Sequence, residues 1–211
     1  MQRERTELIR HPPKSIGTLL GLEGRAGFAY FNAWHSLPVK WAGLARHPIP
    51  RDWLTVGQRY SFARKKGGNR NATHPVNAIL NYAYAILESQ VRIQVTAAGF
   101  DPTIGFLHSG HGGRSDFVLD LMEPQRPIFD RMVLEFVQAH AFHPADFTIR
   151  SDGVCRLNTQ MAGAIVATVS NLAPGDSPKN CQSKCYLTPL RLMSAFGGKA
   201  DIERTRRDVR Y

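Results

Sequence analysis

The chain has 211 residues, 43% of them hydrophobic and 21% charged, with a formal net charge of +10, which is enough material for one large or two small domains around a buried core. No apolar run approaches the roughly 18–20 residues that span a bilayer, and the opening MQRERTELIR has no signal-peptide character. Three cysteines (Cys155, Cys181, Cys185) are too few for a disulfide framework, so the expected setting is the cytoplasm, without membrane association.

The charge divides unevenly along the chain. Residues 1–70 carry 13 Lys/Arg against 4 Asp/Glu, residues 71–170 carry 6 against 9, and residues 171–211 carry 8 against 4. Basic flanks suit a polyanionic partner, of which nucleic acid is the commonest. The acidic middle does not suit a simple DNA-coating protein. A basic frame around local carboxylates is what a metal-dependent phosphodiester enzyme requires.

Residues 1–17 read as a disordered or linker tail, charged and then interrupted by Pro12 and Pro13. From Thr18, the spacing of Leu19, Leu22, Ala26, Tyr30, Ala33 and Trp34 predicts a helix with one apolar face. Residues 37–50 contain three prolines and read as an irregular connection, after which Asp52 is placed to cap a short helix carrying Trp53, Leu54 and Val56. Arg64, Lys65, Lys66 and Arg70 lie in a glycine-containing basic loop suited to touching a phosphate backbone.

The strongest predicted helix follows. Thr73 or His74 is the N-cap, Pro75 suits the first helical position, and Gly99 is the stop. Val76, Ile79, Leu80, Ala83, Leu87 and Val91 form its core stripe. Beside that stripe runs a polar one, Asn77, Asn81, Tyr84, Glu88 and Arg92. An ordinary solvent face would favour Lys and Glu, so asparagines and a tyrosine leading to one glutamate suggest a hydrogen-bonding shell.

Asp101 and Pro102 begin a turn that reaches His108, and residues 109–114 form a glycine-rich loop. Ser115 or Asp116 caps the next helix, on which Asp120 and Glu123, three apart, share a face. Pro124 and Pro127 should kink or end it. A further amphipathic helix is expected over residues 129–142, with Met132, Leu134, Phe136 and Val137 in the core. Residues 146–150 and 154–157 around Ser151-Asp152-Gly153 predict a hairpin. Asn158 then caps a helix that buries Met161, Ile165, Val166 and Val169. Residues 171–211 lack periodicity and are expected to be a poorly ordered tail. Cys181 and Cys185 have no second ligand pair, which argues against a zinc knuckle.

Glu88, His108, Asp120 and Glu123 thus fall within a stretch otherwise rich in apolar residues, where charges are costly unless paired or bound to a metal. Oxygen donors with one imidazole favour Mg2+ or Mn2+, ions able to polarise a phosphoryl oxygen.

The segments NAILNYAYAILESQV, GFDPTIGFLHSG and DFVLDLMEPQRP, preceded by LLGLEGRAGFAYFNAW, occur in an order that resembles the CRISPR-associated integrase family, the endonuclease of spacer acquisition. The likeness covers about residues 18–170. It implies a mainly α, helical catalytic domain with one small β-hairpin, lacking the family's N-terminal β domain. It further implies a divalent-metal site of Glu88, His108 and Glu123, with Asp120 as an added acidic contributor. Also implied are a homodimer, a small ferredoxin-like CRISPR adaptation protein as partner, and joining of captured DNA 3′-hydroxyls to the CRISPR repeat by metal-assisted transesterification. Arg92, Arg126, Arg64, Lys65, Lys66 and Arg70 are the candidate DNA contacts. The alternative is an inactive remnant that only binds DNA or dimerises.

Overall fold

A computed structural model of the chain describes residue 10 and residues 15–57, 72–107 and 115–170. The elements run in the order α1 (Ile16–Asn32), β1 (Lys40–Trp41), a 3-10 turn (Arg51–Trp53), α2 (Pro75–Ala97), α3 (Asp116–Met122), α4 (Arg126–Ala139), β2 (Ala141–Phe142), a second 3-10 turn (Pro144–Asp146), β3 (Phe147–Ile149), β4 (Cys155–Leu157) and α5 (Thr159–Ser170). The chain is mainly α, as the residue pattern predicts. None of the described helices is long and apolar enough to cross a membrane.

The chain divides into two compact units. One comprises the residues up to Ile86 with Arg126–Val169; the other is built around Leu87–Gln125. In the first, Trp41 stacks on Trp53 with ring centroids 5.8 Å apart, and Phe142 and Phe147 close on each other at 5.6 Å. Two small sheets lie here. The hairpin pairs β3 with β4 in antiparallel register, Thr148 opposite Arg156, as the turn residues predict. The other pairs β1 with β2 in parallel, Lys40 opposite Ala141. This second pairing was not expected. It joins segments that no local pattern connects, and it ends α4 at Ala139, so Phe142 is a strand residue rather than the last helical one.

α1 begins two residues earlier than its apolar face suggests, because the Ser15 side chain accepts the Thr18 amide at 3.2 Å. Pro50 rather than Asp52 precedes the first 3-10 turn, and no side chain caps it. Asn158 caps α5 as predicted, its Oδ1 accepting the Met161 amide at 2.7 Å. Val166 departs from expectation: it is exposed, while Met161, Ile165 and Val169 are buried.

α2 follows its sequence closely. All six predicted stripe residues are buried, and Val95 extends the stripe; burying each of the larger ones contributes about 1.5–3 kcal/mol. At the C-terminus the Gly99 amide bonds to Thr96 O and the Phe100 amide to Val95 O, both at 3.0–3.1 Å. Gly99 has φ +79°, the left-handed turn that this paired closure demands.

At the N-terminus of α2 the cap is a buried histidine. His74 Nδ1 accepts the Val76 amide at 3.2 Å, while Nε2 faces the carbonyls of Thr55 (2.9 Å) and Asp52 (3.2 Å). Only the neutral tautomer with hydrogen on Nε2 satisfies all three partners. Burial pushes the His74 pKa down, partly opposed by the two carbonyls. The folded state therefore binds this proton less tightly than the unfolded chain. Its stability contribution is present above the unfolded imidazole value of about 6.5 and is lost as pH falls through it toward the lower folded pKa. Thermal unfolding between pH 8 and pH 5 should show this loss. In His74→Asn, which keeps a capping oxygen but does not titrate, the pH dependence should be shallower; an identical slope would refute the assignment.

Candidate metal centre

The predicted ligands among the described residues, Glu88, Asp120 and Glu123, fall in the unit built around Leu87–Gln125. Glu88 follows the apolar residue Leu87 on α2, so helical geometry places it at the margin of the buried stripe, half-buried. Its Oε1 accepts from Arg92 Nη2 at 2.6 Å, one turn along the helix. Arg92 Nη1 donates to the hydroxyl of Ser115. Ser115 is the N-cap residue of α3 but makes no capping bond with its side chain; its hydroxyl is turned to Arg92 instead. A chain of hydrogen bonds from Glu88 through Arg92 to Ser115 ties α2 to the start of α3. The salt bridge alone, with side chains 40% and 44% exposed, is worth under about 1 kcal/mol to stability. Its value lies in holding the Glu88 carboxylate in one orientation.

Glu123 is half-buried and serves as the C-cap residue of α3, still in helical conformation. Asp120, one turn before it, accepts the backbone amides of Phe106 and of Leu107 on the same oxygen, Oδ2, the second at 3.0 Å. The segment it holds is shaped locally. Asp101 Oδ1 accepts from the Thr103 amide at 2.8 Å and from its hydroxyl at 2.7 Å, and these bonds lower the Asp101 pKa. The Phe117 amide donates to Pro102 O at 3.1 Å. Phe117 meets the rings of Phe100 and Phe106 edge-on, at 6.2 and 6.1 Å.

His108 lies outside the described residues, as do Arg64, Lys65, Lys66 and Arg70. Among the described residues no group of three or more His, Cys, Asp and Glu side chains is gathered closely enough to hold a metal ion. Glu88 and Glu123, two half-buried carboxylates of one unit, fit a hard divalent cation by donor chemistry, and His108 would complete the set. Cys155 offers nothing to this chemistry: burial pushes its thiol up to about 12, which leaves it inert at neutral pH.

The polar stripe on α2 divides at the boundary between the units. Glu88 and Arg92 belong to the site just described. Tyr84 instead donates its hydroxyl to Asp130, a buried carboxylate on α4, and Arg126 lies over the Tyr84 ring at 5.4 Å. Arg126 thus has an aromatic neighbour that sequence spacing did not suggest. Tyr30 feels Asp130 as well: burial first, then this carboxylate, raises its pKa to about 12. Sequence reasoning missed Asp130. The available signal was its place beside Phe129 and three residues before Val133, on the face of α4 that the apolar periodicity buries.

The family model for CRISPR associated protein Cas1 matches residues 2–171. The chain is 30% identical over 158 residues to a CRISPR-associated endonuclease Cas1 of Methanospirillum hungatei, covering 74% of this chain and 41% of that protein. It is 34% identical over 152 residues to one from Archaeoglobus fulgidus, covering 72% and 40%. The chain thus spans about two-fifths of the length of these curated relatives. Its fold is similar to that of a casposase bound to integration product, with a TM-score of 0.69 at 23% identity over 92% of this chain and 53% of that one. It is also similar to a chain of a Cas6-RT-Cas1–Cas2 complex, with a TM-score of 0.65 at 19% identity over 92% and 19%.

Proposed function

The chain belongs to the CRISPR-associated Cas1 family, and from that premise we propose that it is the helical catalytic part of a divalent-metal-dependent DNA endonuclease and integrase of spacer acquisition, working in the cytoplasm. The observation that carries the proposal is the concentration, in one unit, of Glu88 and Glu123 with a segment leading into His108 that is fastened to the intervening helix. Its similarity to CRISPR-associated endonucleases of Methanospirillum hungatei and Archaeoglobus fulgidus supports the endonuclease activity.

In this reading Glu88, His108 and Glu123 hold Mg2+ or Mn2+. When bound, such an ion neutralises charge on a phosphoryl oxygen and lowers the pKa of an attacking or leaving hydroxyl. The chain's own residues set the geometry. Arg92 keeps Glu88 pointed, through the 2.6 Å ion pair and its own bond to Ser115. These two bonds use two of the five guanidinium donors, so Arg92 supports Glu88 while staying a candidate DNA contact. Arg126 and the basic segment of Arg64, Lys65, Lys66 and Arg70 remain the other candidate phosphate contacts. The reaction is an exchange of esters. The 3′-oxygen of captured DNA bonds to a phosphorus of the repeat, and the bond from that phosphorus to its former 3′-oxygen breaks. The number of phosphodiester bonds is conserved, and the proton of the attacking hydroxyl passes to the leaving oxygen through solvent or a nearby base.

DNA, a second copy of the chain and a small ferredoxin-like CRISPR adaptation protein are the proposed partners. The fold similarity to a casposase bound to integration product and to a chain of a Cas6-RT-Cas1–Cas2 complex supports the first and the last.

Cleavage and strand transfer on branched DNA test the proposal. Activity should require Mn2+ or Mg2+, stop on chelation with EDTA, and fall to background in His108→Ala. Equal rates for wild type and His108→Ala would leave the remnant reading standing. Binding with steep salt dependence and indifference to EDTA would instead indicate a nucleic-acid-binding module without metal.

A further inference from the structure

Asp120 is the residue whose surroundings depart furthest from its expected role. Helical spacing puts it on the face of Glu123, which suggested a second carboxylate for the metal. Its Oδ2 is instead the shared acceptor for two successive backbone amides, those of Phe106 and Leu107. Consecutive amides converging on one anionic oxygen make a small backbone nest, and a charged acceptor strengthens both bonds.

The rest of the segment is built to the same end. A Cβ on Gly105 would lie 2.7 Å from the backbone carbonyl carbon of Asp116, so the segment sits on the first turn of α3 at a distance that only glycine allows. Phe106 places its ring edge-on to Phe117, and Pro102 O takes the Phe117 amide. Backbone, side chain and carboxylate all fasten residues 102–107 to one short helix.

We infer that Asp120 is a positioning residue: its carboxylate fixes the backbone of Phe106 and Leu107, from which the chain passes directly to His108, rather than serving as a further ligand of the metal. The inference rests on the reading of His108 as a ligand given above. A positioning carboxylate and a ligand carboxylate differ in what they tolerate. The first needs an acceptor oxygen at one place. The second needs negative charge.

The test uses the full chain and two variants. Asp120→Asn keeps an acceptor oxygen and loses the charge, while Asp120→Ala loses both. Amide hydrogen exchange at Phe106 and Leu107 is read directly, Mn2+ affinity by water-proton relaxation, and strand transfer on branched DNA. In Asp120→Ala, exchange at both amides should quicken at least about tenfold and strand transfer should drop about 10–100-fold, the usual cost of removing an outer support of a metal ligand. Asp120→Asn should keep both amides protected, Mn2+ affinity within about threefold of wild type, and most of the strand transfer. Asp120→Asn with protected amides but at least tenfold weaker Mn2+ binding would make Asp120 a ligand and overturn the inference. Unchanged amide exchange in Asp120→Ala would overturn it as well. If Asp120→Ala does not fold, the Asn variant still separates the two roles. Failure of the proposed function is distinguishable: the wild type itself would then bind no Mn2+ and join no DNA, and the exchange measurement would remain a test of the Asp120 contact.

Discussion

Glu88→Ala should reduce metal-dependent strand transfer at least about 100-fold, with little loss of stability. Removing an outer support of a metal ligand costs about 10–100-fold in affinity or activity, and loss of a ligand itself should cost no less. The small stability cost follows from position. Glu88 is half-buried at the margin of the α2 stripe, and alanine is the better helix former. Its partner gives the control. Arg92→Met preserves the stem that covers α2 and removes the charge that holds Glu88. Activity should fall, by about 10–100-fold, and excess Mn2+ should recover part of it, because the ligand is still present though poorly held. Excess metal should recover nothing in Glu88→Ala. Metal titrations of strand transfer in the three proteins decide the matter: equal activity of Glu88→Ala and wild type would remove Glu88 from the site, and failure of Mn2+ to help Arg92→Met would give Arg92 a different role.

Gly105→Ala is expected to be the most destabilising single-methyl addition among the described glycines that lack positive φ. The new Cβ would lie 2.7 Å from both the backbone carbonyl carbon and the Cβ of Asp116, and 2.9 Å from the backbone oxygen. None of these is the far end of a flexible side chain, so the segment or the helix has to move. Overpacking of this kind costs about 1–3 kcal/mol, or a fall in melting temperature of roughly 2–4 °C for each kcal/mol in a chain of this size. Lifting the segment also weakens the Asp120 bonds to Phe106 and Leu107, so activity should drop with stability. Gly24→Ala, with nothing within 4 Å of the added carbon, is the matched control and should be neutral or slightly stabilising, since alanine favours helix. Differential scanning calorimetry of the two variants against wild type makes the comparison. A Gly105→Ala protein as stable as wild type would mean that the close approach to Asp116 is not maintained in solution.

The sequence was most legible where a single periodicity governed burial. The stripe from Val76 to Val91, the Gly99 stop, the Asn158 cap and the hairpin at Ser151-Asp152-Gly153 all depend on neighbours within a few positions, and all are found. What escaped depends on distant partners. The β1–β2 pairing brings Lys40 beside Ala141, and nothing in either short segment marks it as a strand. Val166 sits beside the buried residue Ile165 and looks like core, yet it is exposed. At the site, spacing identified the carboxylates but could not say which atoms they face. Asp120 and Glu123 look equivalent on a helical wheel; only the fold turns one of them to a pair of amides. Asp130 escaped for the opposite reason, since an acid within an apolar stripe reads as a surface interruption until the Tyr84 hydroxyl is found against it.

The parallel pairing of β1 with β2 constrains the order in which this chain can fold. Lys40 Nζ reaches the carbonyl of Gln138 at 2.8 Å across 98 positions of sequence, and the aromatic cluster joins Trp41 to Phe142 across the same gap. During synthesis the early half of the first unit must wait, with Trp41 and Trp53 uncovered, until α4 and β2 have left the ribosome. The intervening residues, which carry the candidate catalytic carboxylates, need no such delay and are fully emerged first. Long-range closure of this kind is slow and leaves apolar surface exposed in the meantime. Nascent chains are therefore most vulnerable to aggregation before residue 142, after the carboxylate-bearing segment has been made but before the first unit can close.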